Sequence, residues 1–119
     1  MSKHAATEIS IIKAESVPVE DFVRSGATGV KLQNLIGERQ GSERVAMRLY
    51  TVPKGGHTNI DQHEYEHQMY ILKGHGILRC KEKDVALSPG DAVFVPANIQ
   101  HQFINQDDAP FIYLLINIS

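Results

Sequence analysis

Apolar positions along this chain come in short runs, and glycine, proline or a polar cluster closes nearly every run. Residues 30–36 form the first clear candidate strand, followed by the polar loop 37–42. Residues 45–52 form the second, closed by Pro53-Lys54-Gly55-Gly56. Further candidates are residues 68–72, 77–80, 85–87, 92–95, 100–104 and 111–118. Turns at Lys73-Gly74-His75-Gly76, Ser88-Pro89-Gly90-Asp91 and Pro96 separate several of them. No long segment keeps a 3.6-residue period, so the pattern predicts an all-β barrel or sandwich. Upstream, residues 9–13 read as a short strand, 17–24 as a short helix ended by 25–29, and 1–8 as a flexible polar terminus.

The last candidate strand, F-I-Y-L-L-I-N-I, is apolar on both faces, whereas a half-exposed strand would alternate. Its outer side therefore needs cover, from the N-terminal segment or from a second copy. The homodimer is the favoured expectation, because a small chain gains much by associating and two-fold dimers are the commonest oligomers.

Composition narrows the function classes. A length of 119 residues fits one domain, expected over residues 9–119. Twelve basic residues face fourteen acidic ones with no basic block, which argues against nucleic acid as the main partner. The lone Cys80 rules out an intrachain disulfide framework and fits a reducing compartment. The first residues lack the apolar core of a secretory signal, and no apolar run approaches the roughly 20 residues of a membrane helix. The cytoplasm is the expected location, with no membrane partner.

Candidate chemistry is concentrated in four side chains. Asp61, His63 and His67 lie in D-Q-H-E-Y-E-H, and His101 follows in P-A-N-I-Q-H. Three imidazoles and a carboxylate can hold one divalent transition metal ion, and nitrogen and oxygen donors without thiolate suit Fe, Mn, Ni, Zn or Cu. On a strand Asp61 and His63 would point the same way, and His67 could start the returning strand. Rolling the sheet into a barrel would bring His101 opposite them. The run H-E-Y-E-H superficially matches the helical H-E-x-x-H metalloprotease motif. It sits between short β segments flanked by Gly55-Gly56 and Gly74, a poor setting for the long helix that motif needs.

The punctuation around these residues resembles the cupin superfamily. Gly55, five residues, Asp61-Gln62-His63, three residues, His67, six residues and Gly74 follow the spacing of the first cupin motif. Gly90, Pro96, Asn98, His101 and Asn105 follow that of the second. The two together cover residues 55–105, and the flanking strands fit the rest of a small cupin. The resemblance implies a double-stranded β-helix, or jelly-roll barrel, with a metal site. Three departures stand out: Asp61 replaces the first motif's leading histidine, His67 takes the usual glutamate position, and Asn98 replaces a glycine. Asparagine is the non-glycine residue most tolerant of positive φ, so the last change is mild.

Asp61 is accordingly a candidate metal ligand that could instead hold a metal-bound water or orient a histidine. Glu66, next to His67, should point away from the site as a surface carboxylate. Met69, Ile71 and Phe103 are candidates for an apolar wall around the metal, and Arg48 is expected at the surface. His57 and His75 read as loop residues and Cys80 as a small buried hydrophobe.

The favoured activity is that of a metal-dependent dioxygenase acting on a small enolic or phenolic molecule with O₂, with Asp61 as catalytic base if it stays off the metal. This resembles quercetinase-like and other small cupin dioxygenases. The alternatives are a non-redox metal-dependent isomerase, lyase or decarboxylase, and a small-molecule- or metal-binding protein without turnover.

Overall fold

The computed structural model describes residues 8–118, so all but the last residue of the expected flexible terminus lies outside it. Nine strands follow one another: β1 (Glu20–Asp21), β2 (Lys31–Ile36), β3 (Val45–Val52), β4 (Glu66–Lys73), β5 (Gly76–Cys80), β6 (Lys83–Leu87), β7 (Ala92–Val95), β8 (Gln102–Ile104) and β9 (Phe111–Ile118). Their pairings are antiparallel and build a six-stranded sheet, β1-β2-β3-β9-β4-β7, and a three-stranded sheet, β6-β5-β8. The inner faces share one core that includes Val52, Met69, Ile71, Leu78, Leu87, Phe103, Phe111 and Tyr113. Cys80 packs against its edge. The all-β expectation is met, and no helix among the described residues is long and apolar enough to cross a membrane.

Strand β9 organises the larger sheet. It pairs with β3 from Val52↔Phe111 to Val45↔Ile118, and with β4 on its other side. Its inner residues Phe111, Tyr113 and Leu115 are buried, while Ile112, Leu114 and Ile116 are half-buried on the outer face. The segment ahead of β1 contacts β2: the Gln33 side-chain amide donates to the carbonyls of Ala14 (2.7 Å) and Val17 (2.9 Å). Tyr70, Leu72 and Phe94 stay exposed on the outer face of β4 and β7.

Two expectations near the N-terminus are corrected. Residues 9–13 form no strand, and Ile9 and Ile11 are almost fully exposed. Residues 17–24 form no helix; a single 3-10 turn occupies Ala14–Ser16, and the chain then runs extended as β1. One isolated helical turn is costly to nucleate. The extended chain instead pairs Glu20 with Leu32 and Asp21 with Lys31, and the Phe22 amide donates to the Val30 carbonyl at 2.9 Å.

Backbone chemistry explains several motif residues. Gly74 has φ +75°, and a Cβ there would lie 2.1 Å from the Pro110 carbonyl oxygen, so only glycine fits. Asn98 adopts φ +65°, the left-handed conformation expected for that position. Asn105 is fully buried and ties three segments together. Its side-chain amide donates to the Val52 and Ala109 carbonyls, and its oxygen accepts the Asp107 N–H, each at 2.9 Å.

Candidate metal centre

The three histidines arrive from different local settings. His67 is the second residue of β4, held between Asn117 of β9 and Val95 of β7, and alternation turns it inward with Met69 and Ile71. His63 lies in the connection before β4, outside any strand, where its carbonyl accepts the Asn98 N–H at 2.7 Å. His101 lies just before β8 and forms an isolated antiparallel bridge with Asp61 through two 2.9 Å backbone hydrogen bonds. The expectation that Asp61 and His63 share a strand is thus corrected: the cross-chain bridge and the Asn98 contact set their positions instead of strand parity.

His63, His67 and His101 each present a ring nitrogen such that the three nitrogens lie within 4.8 Å of one another. The backbone assigns two of the tautomers. His63 Nδ1 donates to the Tyr65 carbonyl and His101 Nδ1 to the Ile99 carbonyl, both at 2.8 Å, which leaves each Nε2 with a lone pair. His63 Nε2 is buried without a partner, as is His67 Nδ1. Buried polar atoms are rarely left unpaired, so these nitrogens fit a group supplied from outside the chain. A single metal ion suits this donor set.

Asp61 stands beside this group and outside it. One carboxylate oxygen accepts the Gln62 N–H at 2.9 Å, and the other lies 3.9 Å from His63 Nε2, beyond hydrogen-bond range. Its side chain is partly exposed and lines the same cavity as His67 and His101. Glu66 points to the surface. His75 is exposed in its turn, and half-buried His57 bridges Thr28 and Ile104.

The cavity, of about 90 Å³, differs from the expected wall. Phe103 lines it, but Met69 and Ile71 belong to the core behind. Phe22, Tyr50, Tyr113 and Leu115 supply the rest of the apolar lining. Tyr50 and Tyr113 stack with centroids 5.4 Å apart, and Phe22 meets Tyr50 edge-on at 5.5 Å. Tyr65 lies flat on the His63 ring, with centroids 3.9 Å apart and planes within 7°. Arg48, expected at the surface, lines the cavity, because β3 turns Arg48, Tyr50 and Val52 to the inside. The sequence reading missed Tyr65 and Asn117, and it placed Arg48 of β3 at the surface. The alternation of Val52, Tyr50 and Arg48 was the available signal, obscured by the equally apolar Met47 and Leu49 opposite.

Burial favours the neutral form of His67 and His101. It is the main cause lowering the His67 pKa to about 4, reinforced by His63 and His101 and opposed by Asn117 and Asp61. His101 is also lowered, first by burial and then by His63, against its bond to Ile99 and the charge of Asp61. Neutral rings are the metal-binding form. An unfolded histidine titrates near 6.5, so between that value and about 4 the unfolded chain binds more protons than native His67. Stability present above pH about 6.5 should therefore fall progressively toward pH about 4. Urea midpoints of the metal-free protein should drop over this range, and His67→Gln should flatten the drop. Parallel curves for the two proteins would contradict the assignment.

Known proteins share this architecture. The sequence pattern described as Cupin domain matches residues 48–117. The acireductone dioxygenase of Bacillus cytotoxicus is 36% identical over 62 residues, covering 48% of this chain and 36% of that protein. The 1-methylthio-D-xylulose 5-phosphate methylsulfurylase of Rhodospirillum rubrum is 35% identical over 57 residues, with the same two coverages. The matches thus span about a third of each relative's length. Among solved structures, the polyketide cyclase RemF of Streptomyces resistomycificus superposes with a TM-score of 0.89 over 93% of this chain and 80% of that one. At 24% identity that likeness concerns the fold.

Proposed function

This chain belongs to the cupin domain family, and from that premise we propose that it is a mononuclear metal-dependent dioxygenase acting on a small enolic or phenolic molecule. The observation that carries this reading is the cluster of three buried or nearly buried histidines opening on a small, aromatic-walled cavity. Similarity to an acireductone dioxygenase supports the choice of reaction. His63, His67 and His101 would hold the metal, drawn from Fe, Mn, Ni, Zn or Cu. When bound, a redox-active member of that group supplies the electron chemistry with O₂ that side chains alone lack.

The chain's own residues position and protect the reaction. Asp61, on the cavity wall beside the histidines, takes the proton of the substrate hydroxyl. Tyr65 covers one face of the His63 ring and restricts water there. Phe22, Phe103, Tyr50 and Tyr113 hold a planar substrate and lower the local dielectric, which strengthens every polar contact inside.

The test combines metal analysis of the purified protein with oxygen uptake on a panel of enols and catechols. Substrate-dependent uptake that disappears in His63→Ala is expected, with Asp61→Asn slowed about 10²–10⁴-fold. A second reading, metal chemistry without oxygen, is favoured by the methylsulfurylase match. Metal-dependent turnover with no oxygen consumed would select it.

A further inference from the structure

The cavity contains a strong cation that the metal site does not use. Arg48 on β3 stands in register with Leu115 on β9, which is itself paired with Met69 on β4. Its side chain lines the cavity beside His67 and His101. It also lines an adjoining polar depression of about 640 Å³, sharing Arg24, Tyr65 and Asn117 between the two. Arg48 thus stands where the depression meets the cavity. Two strand spacings, roughly 10 Å, separate the β3 backbone from that of His67, a span that one small molecule and an arginine side chain can bridge.

Arg48 has no internal partner. Its Nε is buried without a hydrogen bond, and among the described residues no carboxylate forms an ion pair with it. Asp61 is the acidic group on the cavity wall, and its oxygens face the Gln62 amide and His63. Arg48 is half-buried, and a buried Nε–H with nothing to accept it costs free energy. A planar anion from outside would satisfy the fork of donors that arginine presents. The aromatic lining strengthens such a pair by excluding water.

We propose that Arg48 sets the substrate class of this cavity: it binds the carboxylate of a small organic acid whose other oxygens reach toward the three histidines. The fate of that acid rests on the proposed function, whereas its capture by Arg48 does not. The cavity is small, about 90 Å³, which suits a small organic acid.

The test uses metal-free protein, with pyruvate as probe and the neutral pyruvamide as its control, followed by NMR. Saturable pyruvate binding is expected, at least about ten-fold tighter than pyruvamide and weakened by added salt. The Arg48 Nε–H resonance of the unaltered protein should move as pyruvate saturates. Arg48→Gln should abolish the preference for the anion, Arg48→Lys should keep part of it, and His75→Gln, at an exposed turn outside the cavity, should keep it in full. Equal binding of the two probes, no saturable pyruvate binding, a preference that survives Arg48→Gln, or an unmoved Arg48 resonance would each overturn the proposal. Metal content measured on a parallel sample separates the two readings. A protein that retains no metal yet discriminates pyruvate through Arg48 loses the proposed function and keeps this assignment.

Discussion

Replacing His67 with alanine is expected to weaken metal binding by at least about a hundred-fold, leaving purified protein essentially metal-free. His67 is the most rigidly placed of the three histidines. Its strand is hydrogen-bonded to β9 on one side and β7 on the other, and the residue is only 7% exposed. Val95 on one flank offers no donor, and Asn117 on the other offers only a neutral amide oxygen, a weaker ligand than an imidazole. His63 and His101, with ring centroids 5.0 Å apart, would remain as a two-nitrogen site with too few ligands for tight binding. The fold should survive, since the change removes a buried nitrogen that has no protein partner. Elemental analysis after dialysis reads the outcome, with His75→Ala as the control that keeps its metal. Full retention of metal by His67→Ala would remove the three-histidine site from consideration.

Asn105→Ala should produce a large loss of stability, about 2–4 kcal/mol. Asparagine at this buried position satisfies the carbonyls of Val52 and Ala109 and the amide of Asp107 at once. Truncation orphans the buried Val52 carbonyl, at about 1–3 kcal/mol, and breaks two further bonds, to the Asp107 amide and Ala109 carbonyl, at exposed residues where water can partly replace them. The main chain of Asn105 also donates to the Gly56 carbonyl and accepts from the Gly55 amide, both at 3.0 Å, so loss of the anchor loosens the turn leading to Asp61. Against a typical total of about 5–15 kcal/mol, such a loss is a large fraction of the fold's stability. Urea titration measures it directly, and a loss below about 1 kcal/mol would mean that water replaces all three contacts.

The strands from β2 onward were legible because each apolar run is short and bounded by glycine, proline or a polar cluster. The spacing of Gly55, His63, His67, Gly90, Pro96 and His101 likewise pointed to one barrel site before any coordinates. What stayed hidden depends on distant partners. β1 is extended because β2 offers it backbone partners, a fact absent from residues 17–24 themselves. The inward turn of Arg48 follows from the pairing of β3 with β9, 63 positions away at Tyr50↔Tyr113 where the shared core begins. Asp61 and His63 were placed by contacts with His101 and Asn98 across the barrel, which no local period encodes.

The central position of β9 also has a consequence for biosynthesis. β3 can pair with β2 early but finds its second neighbour only when β9 is made, and the pairing Val45↔Ile118 joins positions 73 residues apart. β4 pairs with β7 on one edge but waits for the same strand on the other, and with it the Asn117 that flanks His67. Such distant pairings must meet a loop-closure cost before they yield any contact energy, which slows folding. During translation, His63, His67 and His101 are therefore all synthesised before the sheet that orients them exists. The site should consequently mature only after β9 has cleared the ribosome, as one of the late events of folding.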